Sequence, residues 1–243
     1  MTESRKIALV TGANKGIGFE IARQLAEAGV VVVMGARDLG RGKEAADKLA
    51  NEGLPAVAMT LDLNDENTIQ LAAAEITATY GHLDILVNNA GIVDAEDGPP
   101  SKATTAAARR LMETNFLGTL AVTQTMLPLL RRSGAGRIVN LSTTLGSLTI
   151  NGDPTSPYYE ARLIGYNASK AALNMLTVQL AAELRGTTIV VNAVAPGYVQ
   201  TDLTGGNGFM TPREGARLPV EYALLGPGAV SGQFVEPQGP APW

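Results

Sequence analysis

The chain has no cysteine and a single histidine, His82, in 243 residues. No disulfide, cysteine nucleophile or thiolate-held metal can form, and a zinc site would have at most one imidazole. A Ser-His-Asp triad would have to use His82. Acid–base chemistry is therefore expected to rest on a residue other than histidine, the usual proton carrier. Charge is sparse too: charged residues make up 17% and the net charge is −4, which argues against nucleic acid as a bulk electrostatic partner. No apolar run approaches the roughly 18 residues of a membrane helix. Met1-Thr-Glu-Ser-Arg-Lys6 runs directly into Ile7-Ala-Leu-Val10 without the apolar stretch of a secretory signal, so a cytoplasmic setting is expected. What is plentiful is apolar side chain, 45% of residues, enough for a large core.

Short β-rich runs alternate with helical periodicity along the chain. Strands are expected at 6–11, 30–34, 56–61, 83–88, 137–142 and 188–195, with a last one at 233–235. Helices are expected at 17–28, 42–51, 66–80, 106–130 (distorted near Pro128) and 166–184. This alternation predicts an α/β fold of Rossmann type, with one doubly wound, parallel sheet of about seven strands and helices on both faces. Residues 1–243 read as a single dinucleotide-binding and catalytic domain. The irregular stretches near 146–164 and 201–215 read as substrate loops.

The first strand ends in Thr11-Gly12-Ala13-Asn14-Lys15-Gly16-Ile17-Gly18, which opens a helix. Glycines there let backbone approach a pyrophosphate, and the helix N-terminus favours its charge. An NAD-binding version of this turn carries an acid about 20 residues further on. Here Ala36 and Arg37 fill that place, and Lys15 lies inside the loop, so two cations suit the 2′-phosphate of NADP(H) over NAD(H). Asp38 reads as the cap of the next helix.

Tyr166 and Lys170 stand one helical turn apart on a face continued by Leu173, Leu176, Thr177, Leu180 and Leu184. A lysine beside a tyrosine favours phenolate, and the expectation is a tyrosine pKa lowered from about 10 toward the working range. Ser142 ends the fifth strand, where doubly wound sheets bind ligands. By itself it reads as a turn serine. Asn115 lies on an apolar helix stripe and needs partners there. His82 sits at the amino end of its strand, away from the ligand side, and no metal site is expected.

Together these elements resemble the short-chain dehydrogenase/reductase family. The matching residues run through most of the chain in order: the glycine loop, Asp62-Leu63, Asn88-Asn89-Ala90-Gly91, Asn115, Ser142, Tyr166-x3-Lys170, Pro196-Gly197 and Thr201. The start of the chain and Gly35-Ala-Arg-Asp38 look most like its NADPH-dependent carbonyl reductases. The resemblance implies reversible reduction of a ketone or aldehyde, with hydride from the nicotinamide and a proton from Tyr166. It implies that Lys170 tunes Tyr166 and holds the nicotinamide ribose, that Ser142 positions the carbonyl, and that Asn115 holds a water linking Lys170 to solvent. Gly12, Asn14, Lys15, Gly16, Ile17, Gly18, Arg37, Asp62, Leu63, Asn88, Ala90, Gly91, Tyr166, Lys170, Pro196, Gly197, Val199 and Thr201 would hold the cofactor. Val93, Thr143, Tyr158, Tyr159, Tyr198 and Phe209 are expected around the substrate, with Met210 beside them.

Ser142 and Tyr166 are 24 positions apart, about twice the family's commonest spacing, and the extra residues are expected to form a wall or flap. Other family reductions remain open: another alcohol dehydrogenase, or a 3-oxoacyl thioester reductase docking a carrier on Arg109-Arg110 and Arg131-Arg132. A non-catalytic NADP(H) sensor predicts loss of the tyrosine–lysine pair, and both residues are present. The expected partner is a small carbonyl or alcohol. No nucleic acid or membrane is expected, and the family's habit of pairing through its two long helices leaves a homodimer or homotetramer open.

Overall fold

A computed structural model describes residues 5–243, so the leader reading of Met1–Ser4 lies outside the described residues. The first half builds β1 (Ile7–Thr11), α1 (Gly16–Glu27), β2 (Val31–Ala36), α2 (Leu39–Asn51), β3 (Ala56–Thr60), α3 (Glu66–Tyr80) and β4 (Ile85–Asn88). Then come α4 (Thr105–Met112), α5 (Thr119–Leu130), β5 (Arg137–Leu141), a short α6 (Leu148–Gly152), α7 (Ile164–Glu183), β6 (Val190–Val194), α8 (Pro212–Ala223), β7 (Phe234–Glu236) and β8 (Gly239–Pro240). The strands form one sheet in the order β3-β2-β1-β4-β5-β6-β7-β8. All neighbouring pairs are parallel except β7–β8. The sheet thus has eight strands, the short antiparallel β8 being the addition to the expected seven.

Burial on both faces explains the apolar runs. Along β1, Ala8 and Val10 enter one core layer with Ile21, Leu25 and Val220, while Ile7 and Leu9 enter the other with Ile76, Met126 and Leu180. Strand order reverses between β1 and β4, and the crevice at their carboxyl ends is where a doubly wound sheet takes its ligand. Arg137, at the amino end of β5, is buried without a carboxylate. Its guanidinium donates to the carbonyls of Gly136, Thr188, Leu225 and Gly226, tying down the chain that leaves α8. Burial pulls its pKa below the usual arginine range.

Two elements depart from the sequence pattern. In the helix expected over 106–130, Pro128 does not end α5, which continues through it to Leu130. A wide π-helical turn interrupts the expected helix at Glu113–Gly118, between α4 and α5, and Asn115 lies in it. Such turns gather at functional sites because they re-aim side chains. Helix α8 begins inside the stretch read as a substrate loop near 201–215 and runs on to Ala223, where no helix was expected. Pro212 occupies its first turn, and a reciprocal cap joins Thr211 and Glu214. Asp38 caps α2 through Arg41 N, as its position suggested.

Candidate active site

Helix α7 enters the site with its first turn capped by another part of the chain. Leu163, at its N-cap position, supplies no side-chain cap. Instead the Asp97 carboxylate, from the loop after β4, accepts from the amides of Gly98, Gly165 and Tyr166 at 2.9 Å each. The Gly98 carbonyl accepts from Ile164 N. The sequence reading missed Asp97, because a cap brought 69 residues along the chain leaves no local signature.

Tyr166, Lys170, Asn174 and Thr177 follow as a buried polar stripe on α7. Lys170 Nζ donates to the carbonyl of Leu141, 2.8 Å away at the end of β5, and lies 5.9 Å from the Tyr166 ring centre. Ser142, the next residue, donates its hydroxyl to Asn174 Oδ1 at 2.6 Å. Asn115 accepts from Ile92 N and donates to Ile92 O and to Ser169 Oγ. Ser169 in turn donates to the Tyr166 carbonyl. Gly91 leaves room beside this group: a side chain there would begin 3.4 Å from Asn115 Oδ1 and 3.5 Å from Lys170 Nζ. Around one stretch of α7, which carries Tyr166 and Lys170, the fold thus gathers Asn115 and Ser142 from two other parts of the sequence.

The expected lowering of the tyrosine pKa is not what this environment produces. Burial disfavours the phenolate and pushes Tyr166 up to about 12, while the same burial pulls Lys170 down to about 8. Desolvation dominates both groups. At neutral pH the site therefore holds a phenol beside an ammonium, a proton donor in its protonated form.

Below it lies the glycine loop. Gly12 and Gly16 adopt positive φ of 63° and 58°, conformations that side chains disfavour. A side chain on Gly18 would begin 2.4 Å from Asn89 Nδ2 and from the Gly12 carbonyl, so this glycine lets helix and loop touch. No side chain caps α1, whose amino end faces the crevice side of the sheet. Asn89 clasps the loop by donating to the carbonyls of Thr11 and Gly12, and the Thr11 hydroxyl accepts from the amides of Asn89 and Ala90. Asn88, expected to face a cofactor, instead points into the fold, where its amide donates to Thr123 and Asn140. Its neighbour Asn89 does the loop-shaping.

Arg37 is exposed just beyond β2, and Asp62 spends one carboxylate oxygen on the amide of Asn64. Leu63 is buried against the π-helical turn at Gly118. Lys15 makes an exposed 2.6 Å ion pair with Asp202, which the sequence reading did not single out. Thr201, capping the turn at Asp202–Thr204, brings its methyl 3.6 Å from where a Gly16 side chain would start. This loop and the glycine loop therefore form one rim. Val199 is buried against Gly215, and Gly197, at φ 92°, is pressed on Met210.

The residues expected around a substrate divide into two groups. Tyr198, at the base of the 201–210 loop, and Phe209, near its end, form an exposed edge-to-face pair 5.9 Å apart, and Val93 is exposed as well. Thr143 caps a turn through Leu145 N, and Tyr159 lies under Arg162 at 4.6 Å, so both serve local packing; Tyr158 is half-buried nearby. The long segment before Tyr166 is tied down at several points. Asn151 donates to Leu145 and Ser147 carbonyls and accepts from Asn167, and Thr149 donates to the Trp243 carbonyl. These contacts hold its first part against α7 and Trp243. Of the arginines read as a carrier dock, Arg110 is paired with Asp94 and Glu96, Arg131 approaches Glu183, Arg132 donates to Gly81 O, and Arg109 is exposed. His82 contacts Asp84 and the Tyr80 carbonyl at the opposite end of the sheet. Among the described residues no cluster of three or more His, Cys, Asp or Glu offers a metal site. No described helix is long and apolar enough to cross a membrane.

Residues 6–208 match the family model described as short chain dehydrogenase. Carbonyl reductase [NADPH] 1 of Mus musculus is 36% identical over an alignment of 282 residues that covers all of both chains. The solved structure of salutaridine reductase from Papaver somniferum superposes with TM-score 0.82 at 34% identity, covering 95% of this chain and 99% of that one. A short chain dehydrogenase of Shigella flexneri 2a str. 301, solved in complex with NADP, gives TM-score 0.85 at 28% identity, with 96% and 97% covered. The chain belongs to the short-chain dehydrogenase/reductase family and is of its carbonyl-reductase type. It is an oxidoreductase acting on the CH–OH/C=O couple.

Proposed function

We propose that the protein reduces a ketone or aldehyde to an alcohol with NADPH, reversibly, and that Tyr166 delivers the proton. The observation that carries this reading is the convergence of Asn115, Ser142, Tyr166 and Lys170 on one stretch of α7, with Tyr166 held as a phenol. The glycine cradle supports a dinucleotide: positive-φ Gly12 and Gly16 and an uncapped helix start offer backbone to a diphosphate. Lys15 and Arg37, with no acid at the end of β2, favour the 2′-phosphate. Lys15 would exchange Asp202 for that phosphate, an exchange of one exposed ion pair for another. A bound nicotinamide nucleotide supplies hydride to the carbonyl carbon.

The chain's own residues do the rest. Tyr166 keeps its proton at Oη until the carbonyl oxygen gains negative character, then transfers it. The Lys170 ammonium stabilises the phenolate left behind and offers a donor to a ribose hydroxyl. Ser142 orients the substrate oxygen. Asn115 holds the Ile92 backbone beside Lys170 and leaves a place for a relay water at Gly91. Exposed Val93, Tyr198 and Phe209 suit an apolar substrate body, with the 201–210 loop closing over it. A homodimer or homotetramer, a small-molecule substrate and a cytoplasmic setting complete the reading.

The test is turnover of a panel (acetophenone, an aliphatic aldehyde and a 3-oxoacyl thioester) with NADPH and with NADH. Ketone or aldehyde reduction with NADPH preferred by tenfold or more is expected. Equal use of NADH would overturn the cofactor assignment, and thioester-only turnover would overturn the substrate class.

A further inference from the structure

Asn174 lies one turn beyond Lys170 and two beyond Tyr166 on α7, and it is buried. Its Nδ2 donates to the Gly146 carbonyl at 3.3 Å, which leaves Oδ1 to accept the Ser142 hydroxyl at 2.6 Å. Gly146 comes this close because it has no side chain: a Cβ there would sit 2.9 Å from the Lys170 carbonyl carbon and 3.0 Å from Lys170 Cβ. The amide is therefore oriented by its surroundings, and the orientation decides where the serine proton points.

A serine hydroxyl has one proton to donate and two lone pairs to offer. With the proton committed to Asn174, Ser142 turns lone pairs toward the rest of the site. We propose that Asn174 is a positioning residue that presets Ser142 as a hydrogen-bond acceptor. So preset, Ser142 receives the hydroxyl of an alcohol directly. It can donate to a carbonyl only by releasing Asn174, whose buried oxygen is then left unpaired. Asn174 thus tilts the site toward the alcohol form of the substrate pair. The inference rests on the proposed role of Ser142 beside Tyr166 and goes beyond it.

The experiment measures KM for the ketone that the wild type reduces fastest in the panel above, and KM for its alcohol, each at saturating NADPH or NADP+. Four proteins are compared: wild type, Asn174→Leu, Ser142→Ala and the double variant. Active sites are counted by NADPH-binding stoichiometry, so a partly folded preparation does not bias kcat. Asn174→Leu is expected to lower the ratio of ketone KM to alcohol KM about tenfold, the order of one buried hydrogen bond. In the Ser142→Ala background the same substitution is expected to leave the ratio unchanged, because there is no hydroxyl left to direct. A purely structural role moves both KM values together and acts equally in both backgrounds; either result overturns the inference. Asn174→Ala serves if the leucine variant does not fold. Ser142→Ala kinetics identical to wild type would instead overturn the placement of Ser142 in the site. An unchanged ratio in Asn174→Leu beside a crippled Ser142→Ala would overturn the role of Asn174 alone.

Discussion

At the scale of single residues, burial sets the protonation of the site. Tyr166 is pushed up to about 12 and Lys170 down to about 8, so the group that titrates nearest neutrality is the lysine. Lys170 is charged below pH 8 and neutral above it, whereas Tyr166 stays a phenol throughout that range. Reduction should therefore be level in neutral solution and fall as pH rises through about 8, when the charge that stabilises the phenolate left on Tyr166 is lost; a pH profile of kcat/KM checks this. A profile flat to pH 10 would contradict it. The spacing of Tyr166 and Lys170 made the pair legible in the sequence. The direction of the tyrosine shift was not legible, because it depends on how completely both groups leave water. Asp97 and Asn174 were hidden for a related reason: their partners, Tyr166 N and Ser142 Oγ, meet them only through the tertiary fold. Asn174 did carry a local hint, a polar residue at the next turn of the Tyr166–Lys170 face.

At the scale of elements, the site depends on how helices start and how closely loops approach them. Asp97→Ala removes the acceptor for two amides at the start of α7, Gly165 and Tyr166, and for Gly98 N in its own loop. The expected cost is about 1–2 kcal/mol of stability by denaturant titration, together with a fall in kcat larger than any change in NADPH affinity. Asp97→Ala with wild-type stability and kcat would contradict the trans cap. In the glycine loop, Gly18→Ala would place a methyl on Asn89 and the Gly12 carbonyl. Its NADPH dissociation constant is expected to rise tenfold or more, read by nucleotide fluorescence. The alternation of strands and helices was clear in the sequence because both faces of the sheet are covered. The π-helical turn at Asn115 was not, since Pro128 carried the stronger breaker signal. Helix α8 was obscured by the glycines and prolines around it, although Thr211-x-x-Glu214 marked its start.

At the scale of the whole molecule, the polar groups of the candidate site gather at the carboxyl ends of the strands. His82, Asp84 and Ser133 lie at the opposite end, joined by hydrogen bonds to one another and to Ile7 N. His82→Ala is accordingly expected to leave kcat within about twofold of wild type, as for surface positions generally; a large loss in a rate assay would contradict its placement. A chain without cysteine and with one remote histidine must move protons by other means. The central claim is that Tyr166 does so, and it is tested most directly by Tyr166→Phe, measured for both NADPH binding and ketone turnover. NADPH is expected to bind with near wild-type affinity while turnover falls about a thousandfold or more, on the order of general acid catalysis with loss of the phenol. A variant that binds NADPH and reduces ketone at a rate near wild type would contradict it.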